Sequence, residues 1–309
     1  HSTILFTAPK QGGILQSSGF LDMKSLMGLH RTCKAHAPDE LSLILLIEDE
    51  ITRYHGVQTM EEAIDFWKKI YRRSLLKRWL ERDTATAAAE SIKVTQDMLS
   101  CALPYEGMLS KMLRTIPTQL ERLQLVHERD EYQDTLLHVA AQSGNSESIK
   151  TILSVYPEAA RLAVVNKKAP LGWTVLHCAA YSGNPESIRL ILAAYPETER
   201  LRAVKEKNHL GTALHRAARS GNFESIETIL VVFPESERLH ALNMTTHSGA
   251  TVLHCVADSN QVECIQAVLS LYPESQRLQA LNKQNAFRET VLDKMNEETR
   301  DSIMQWLSK

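Results

Sequence analysis

The stretch TVLHCAAYSGN, Thr174 to Asn184, sets a histidine beside a cysteine, His177 and Cys178, where a helical pattern begins. An imidazole next to a thiol can draw off its proton and make a nucleophile of it, or the two can share a metal ion. A second grouping, His30, Cys33 and His36, recurs at three-residue intervals, from which one helix could offer two ligands to one ion. No further ligand cluster lies near it, so a partly buried helix face is the simpler reading. The chain shows no Gly-rich phosphate loop, no His-Glu-x-x-His pair and no isolated nucleophile with a base beside it. No cofactor is implied.

The elements around His177 decide its role. The same opening recurs as TLLHVAAQSGN from Thr135, TVLHCAAYSGN from Thr174, TALHRAARSGN from Thr212 and TVLHCVADSNQ from Thr251, with a fifth start, TVLDKMN, at Thr290. Each full block continues through Glu-Ser-Ile or Glu-Cys-Ile into an apolar run that ends at Pro157, Pro196, Pro234 or Pro273. An Arg-Leu segment follows, as in EAARLAVVN and ETERLRAVK. Internal periods of this length mark stacked repeats. Threonine suits an N-cap, and the Leu and Ala-Ala positions fall on one face of the helix it opens. Gly144, Gly183 and Gly221 suit a left-handed helix end. The second helix carries Ile and Leu at three- and four-residue spacing, and the proline ends it. The Arg-Leu segment predicts one further helical turn.

With these residues in hand, the region from Thr135 to about Leu307 resembles the ankyrin-repeat family, through its Thr-x-Leu-His-x-Ala-Ala cores and Gly-Asn turns. That resemblance implies an all-α solenoid. It also implies that His138, His177, His215 and His254 tie neighbouring turns together, so that His177-Cys178 is scaffold. Two departures stand out. The family's second-position proline is Leu136, Val175, Ala213 or Val252 here, and the period is lengthened, so the usual β-hairpin fingers are not expected. Both ends read as caps: MLSKMLRTIP with TQLERLQLV matches a half repeat upstream, and TVLDKMNEETRDSIMQWL a helix pair downstream, with Asp293 in the histidine slot. The expected organisation is a helical N-terminal domain over 1–104 and an ankyrin-repeat domain over 105–309.

The chain has 309 residues, 43% hydrophobic and 23% charged, with a formal net charge of -2, so no global field points to nucleic acid or a membrane surface. The apolar run LSLILLI, Leu41 to Ile47, is far too short to span a bilayer. Five cysteines without paired spacing read as reduced thiols in a cytoplasmic setting. The chain opens on His1-Ser2 rather than Met, which reads as a trimmed start, so the missing leader excludes little.

The first hundred residues read as helices without a repeat. The basic run Lys68, Lys69, Arg72, Arg73, Lys77, Arg78 is a solvated face, or a contact for an acidic partner, lipid or nucleic acid. Leu21, Leu26, Leu29 and Cys33 lie in a stretch that resembles the second half of an F-box, the helical motif that docks on the Skp-type adaptor of cullin ubiquitin ligases. Pro38 to Leu45 resembles its first half, in reversed order. These four residues are candidate docking positions.

A solenoid binds through its concave face and loops. Slots that hold one residue type in every copy belong to the scaffold; slots that vary are free for a partner. The candidates are Tyr132, Leu171, Trp173, Tyr181, His209, Arg216, Arg219, His247, Asp258 and Phe287. Trp173 either packs under its own loop or faces a partner. The expected function is a non-enzymatic protein–protein scaffold or adaptor. A cullin-ligase adaptor and a catalytic N-terminal domain served by the rod are the alternatives. The Tyr-Pro-Glu punctuation resembles ankyrin proteins that intracellular bacteria inject into host cells, which implies an effector acting on host proteins in the host cytosol.

Overall fold

The computed structural model describes residues 94–103, 107–130 and 132–308, and all statements of structure refer to these. The sequence features placed before residue 94 lie outside them. These include the candidate docking positions Leu21, Leu26, Leu29 and Cys33, the His30-Cys33-His36 grouping and the basic run.

Each repeat folds as three helices. The first helices are α4 Leu136–Gln142, α7 Val175–Ser182, α10 Ala213–Arg219 and α13 Val252–Ala257. The second are α5 Ser146–Val155, α8 Pro185–Ala193, α11 Phe223–Leu230 and α14 Val262–Ser270. The third are α6 Glu158–Val165, α9 Glu197–Lys205, α12 Glu235–Asn243 and α15 Glu274–Leu281. First helices pack on first helices of the neighbouring repeat, and second on second, so the core is two parallel rows. Its centre is the Leu and Ala-Ala slots of the first row (Leu176, Ala179 and Ala180 in α7) and the Ile slots of the second (Ile188 and Ile191 in α8), all fully buried. Paired alanines let the first helices approach closely, and that approach fixes the turn glycines. Gly183 has φ +69°, and a Cβ there would stand 2.8 Å from Ser220 Cβ of the next repeat. In the fourth repeat Asn260 holds the left-handed turn at φ +52°.

Helices of eight or nine residues follow the prolines where the Arg-Leu segment predicted one turn. The reason is a fastening that recurs down the stack. The Nε–H of Arg161 donates to the Leu153 carbonyl at 3.2 Å, that of Arg200 to Leu192 and Tyr195 at 3.1 and 3.2 Å, and those of Arg238 and Arg277 to Phe233 and Tyr272 at 3.4 Å. A second helix ends with unpaired carbonyls and partial negative charge, and a guanidinium folded back from the third helix satisfies both. The third helices bury only their last turn, Val164-Val165 in α6 and Ala203-Val204 in α9.

The loops keep a reduced form of the finger that the longer period led us not to expect. Lys207 and Asn208 (β1) pair antiparallel with Gly211 and Thr212 (β2), and single bridges join Arg129 to Thr135, Lys168 to Thr174, Thr245 to Thr251 and Gln284 to Thr290. The lengthening lies in the third helix and leaves the finger intact.

The described stack extends beyond the four full repeats at both ends. α2 Met108–Thr115 and α3 Gln119–His127 correspond to the half repeat seen in the sequence, and Arg122 Nε donates to the Ile116 carbonyl in the recurring way. Upstream of residue 105, α1 Gln96–Ala102 packs on α4 in the position of a first helix, capped by Thr95. At the other end a 3-10 turn, Leu292–Lys294, stands where a first helix would be and is followed by α16 Glu297–Leu307. The expected helix pair is thus one helix and one turn. No described helix is long and apolar enough to cross a membrane.

Candidate partner-binding face

The histidine slot is built from the threonine three residues before it. In all four copies the histidine Nδ1 accepts from the threonine hydroxyl, at 2.8, 2.7, 2.8 and 2.8 Å, and faces the threonine N–H at 3.2–3.4 Å. Nε2 therefore carries the proton and donates to a carbonyl of the next loop: Lys167 for His138, Gly211 for His177, Met244 for His215 and Glu289 for His254. Burial pushes His138, His177 and His215 down to about 4, and lowers His254 as well. The ring is neutral, with both nitrogens committed. Beside it the Cys178 thiol is buried and pushed up to about 12, the opposite of what a nucleophile needs. Among the described residues no three His, Cys, Asp or Glu side chains are grouped to hold a metal ion.

The second turn is laced in the same way. Asn184 caps α8 by accepting from the Ser187 N–H at 3.3 Å, while its Nδ2 donates to the Gly144 carbonyl of the preceding repeat at 2.8 Å. Asn145 does likewise between α5 and Leu103. Repeated Thr-x-x-His and Gly-Asn lacing between helix pairs, each pair adding one short finger, decides the fold family. The family model described as ankyrin repeats (3 copies) matches residues 106–201 and 137–236. This region is an ankyrin-repeat stack. The same lacing in the Thr251 block carries the stack past the matched residues. No curated protein matches the chain.

The open side of the ankyrin stack is the first-helix row with its finger tips. A tip is set by one side chain that folds the turn: Asp130 Oδ1 accepts from the N–H groups of Tyr132 and Asp134, Asn208 Oδ1 from Leu210, and Asn285 Oδ1 from Phe287 and Glu289. The next position but two is left-handed in every finger: Gln133, Gly172, Gly211, Gly249 and Arg288. In three of the five fingers the residue just before it is apolar and turned outward, with Tyr132 58%, Leu171 68% and Phe287 72% exposed. The fingers are also joined in pairs: the His209 N–H donates to the Leu171 carbonyl and the Ala286 N–H to that of Ser248.

The candidate residues sort by these positions. Tyr132, Leu171, His247 and Phe287 are exposed on tips; Tyr181 and Arg219 are exposed on first helices, and Asp258 at the C-cap of α13. Arg219 and Asp258 face each other across adjacent repeats, Nη2 to Oδ2 at 3.6 Å. Trp173 is half-buried and packs within the stack. Its ring lies against His177 of its own repeat, meets Tyr181 edge-on at 6.0 Å, and reaches His209 of the next finger at 6.2 Å. Arg216, chosen as the polar member of a varying slot, is 3% exposed. Its guanidinium lies 5.4 Å from the Trp173 ring centroid, and Nη2 donates to the Leu210 carbonyl at 3.3 Å. The slot is buried in the neighbouring copies too, at Cys178 and Cys255, so its small apolar occupants there were the signal that this position faces inward.

Proposed function

We propose that the chain is a non-enzymatic protein–protein interaction scaffold, binding its partner through the first-helix face and the finger tips. The carrying observation is the continuous patch of Leu171, Trp173, Tyr181, His209 and Arg219, with the Arg216 guanidinium buried against Trp173. These aromatic, apolar and arginine side chains span two repeats, and the hydrogen-bond lacing beneath them holds the backbone fixed. Aromatics and arginine are the residues that anchor interfaces, and a rigid platform lowers the ordering cost of binding. Ankyrin repeats support the protein-binding role as such.

The finer readings rest on less. Delivery into a host cytosol rests on the Tyr-Pro-Glu punctuation, and adaptor work in a cullin ligase on the reversed F-box halves, which lie before residue 94. A catalytic N-terminal domain would make the ankyrin region its substrate receptor. The test is site-specific photo-crosslinking of the full chain in eukaryotic cells. A crosslinker at Tyr181 or Leu171 should capture a defined protein, while one at Leu278, exposed on the third helix α15, should not. Capture at Leu278 alone would assign binding to the third-helix side and overturn the reading. Retention of a Skp-type adaptor on crosslinkers before residue 94 would select the ligase form.

A further inference from the structure

The slot after each histidine holds Val139, Cys178, Arg216 and Cys255. Three copies fill it with a small apolar side chain, and the scaffold asks for nothing else. In the third repeat a guanidinium is buried there instead, and its Nε has no hydrogen-bond partner. Among the described residues no carboxylate pairs with it. The anion on the neighbouring repeat, Asp258, faces Arg219. Arg219 is itself a second cation close enough to act on Arg216. A buried cation without an anion is expensive, and the ring of Trp173 offsets only part of that cost. Two guanidinium groups against one carboxylate leave the centre of the patch positive, and exposed Leu171 and Tyr181 flank it with apolar surface.

From this imbalance we infer that the patch takes a segment of a partner protein in which an Asp or Glu side chain adjoins an apolar residue. The carboxylate completes the Arg216–Arg219 pair, and the apolar residue covers Leu171 and Tyr181. This rests on the protein-binding reading above and adds the chemistry of what is bound. Trp173 then has a definite role. It shields the guanidinium in the free protein and keeps the site of low dielectric when the carboxylate arrives, where a charge-assisted bond is strongest.

The test is selection of a random 12-residue peptide library on the intact chain, repeated on Arg216→Gln and on Arg219→Gln. The selected peptides should carry Asp or Glu beside an apolar residue, and a synthetic winner should bind Arg216→Gln at least about thirtyfold more weakly. Arg219→Gln, at an exposed position, should weaken it several-fold with folding unchanged, which keeps the result readable if changes at Arg216 disturb folding. Winners without acidic residues would overturn this inference and leave the protein-binding reading standing. No winners at all would overturn both. Replacing the acidic residue of a winner by phosphoserine should not tighten binding; marked tightening would assign the site to phosphorylated segments instead. Finally, Arg216→Met should melt no lower than the parent, since the slot accepts apolar side chains elsewhere. A clear drop in Tm with peptide binding retained would make Arg216 structural and sink the proposal.

Discussion

At the scale of single residues, the histidine fits its slot because the neutral ring accepts on one nitrogen and donates from the other, across the width of the ring. Asp293 shows the logic by exception. In the last described unit a carboxylate, which only accepts, takes the slot and receives the Thr290 N–H and hydroxyl at 2.7 Å each. Burial disfavours the charged ring, and protonation also removes its acceptor, so the folded state resists it. The folded pKa of His138, His177 and His215, about 4, lies below the 6.5 of an unstructured imidazole. The unfolded chain therefore binds protons first on acidification. The stabilisation is fully present above pH 6.5 and is lost progressively as pH falls towards 4. At pH 5 each of the three contributes about 2 kcal/mol less than at neutral pH. Urea denaturation at pH 7.5 and pH 5 should show a large fall in midpoint, and His177→Gln should make that fall smaller. An unchanged difference in His177→Gln would mean that other groups carry the acid sensitivity.

At the scale of elements, the third helix is the departure from a two-helix repeat, and the arginine that folds back on the second helix holds it. Arg200→Met should cost about 1–2 kcal/mol, because it removes the side-chain donor shared by the Leu192 and Tyr195 carbonyls, of which Leu192 keeps the Tyr195 N–H. Arg202→Met, on the same helix but 83% exposed and paired only with Glu199 three residues earlier, should stay within about 0.5 kcal/mol of the parent. Equal costs in denaturant titration would refute the fastening. The sequence shows the repeat, its first two helices and the glycine turns because each depends on local spacing, Thr-x-x-His for the cap and Gly-Asn for the turn. The third helix looks like a single turn in the sequence because its fastening joins Arg200 to Leu192 and Tyr195, contacts that no periodicity reveals. The helix of Gln96–Ala102 was not seen as part of a repeat because Met98 stands where the others have histidine and Ser100-Cys101 where they have Ala-Ala. At the binding face, variation among copies points to Trp173 and Tyr181, but it also points to Arg216, whose slot is buried in the neighbouring copies as Cys178 and Cys255.

At the scale of the whole described stack, each repeat touches only its neighbours, so stability is shared along it as a sum of nearest-neighbour terms. The histidine and asparagine bonds between turns, and the Ala-Ala contacts beneath them, are the coupling. Ala180 in α7 and Ala257 in α13 occupy the same slot and are both fully buried, but they differ in what lies beyond them. Ala180 sits between α4 and α10, two full first helices, whereas α13 has a full helix on one side and the Leu292–Lys294 turn on the other. A charged side chain at either place should cost several kcal/mol, since a carboxylate there is buried without a partner. The consequences should differ. Ala180→Asp breaks the stack in its interior, so native-state hydrogen exchange should rise on both sides, in α4 and α5 as in α10 and α11. Ala257→Asp should release the fourth repeat and α16 while the amides of Ile149, Ile152, Ile188 and Ile191 keep their protection. If both variants lowered protection equally along the chain, the stack would unfold as one cooperative unit, and coupling confined to neighbours would be the wrong description of what holds it together.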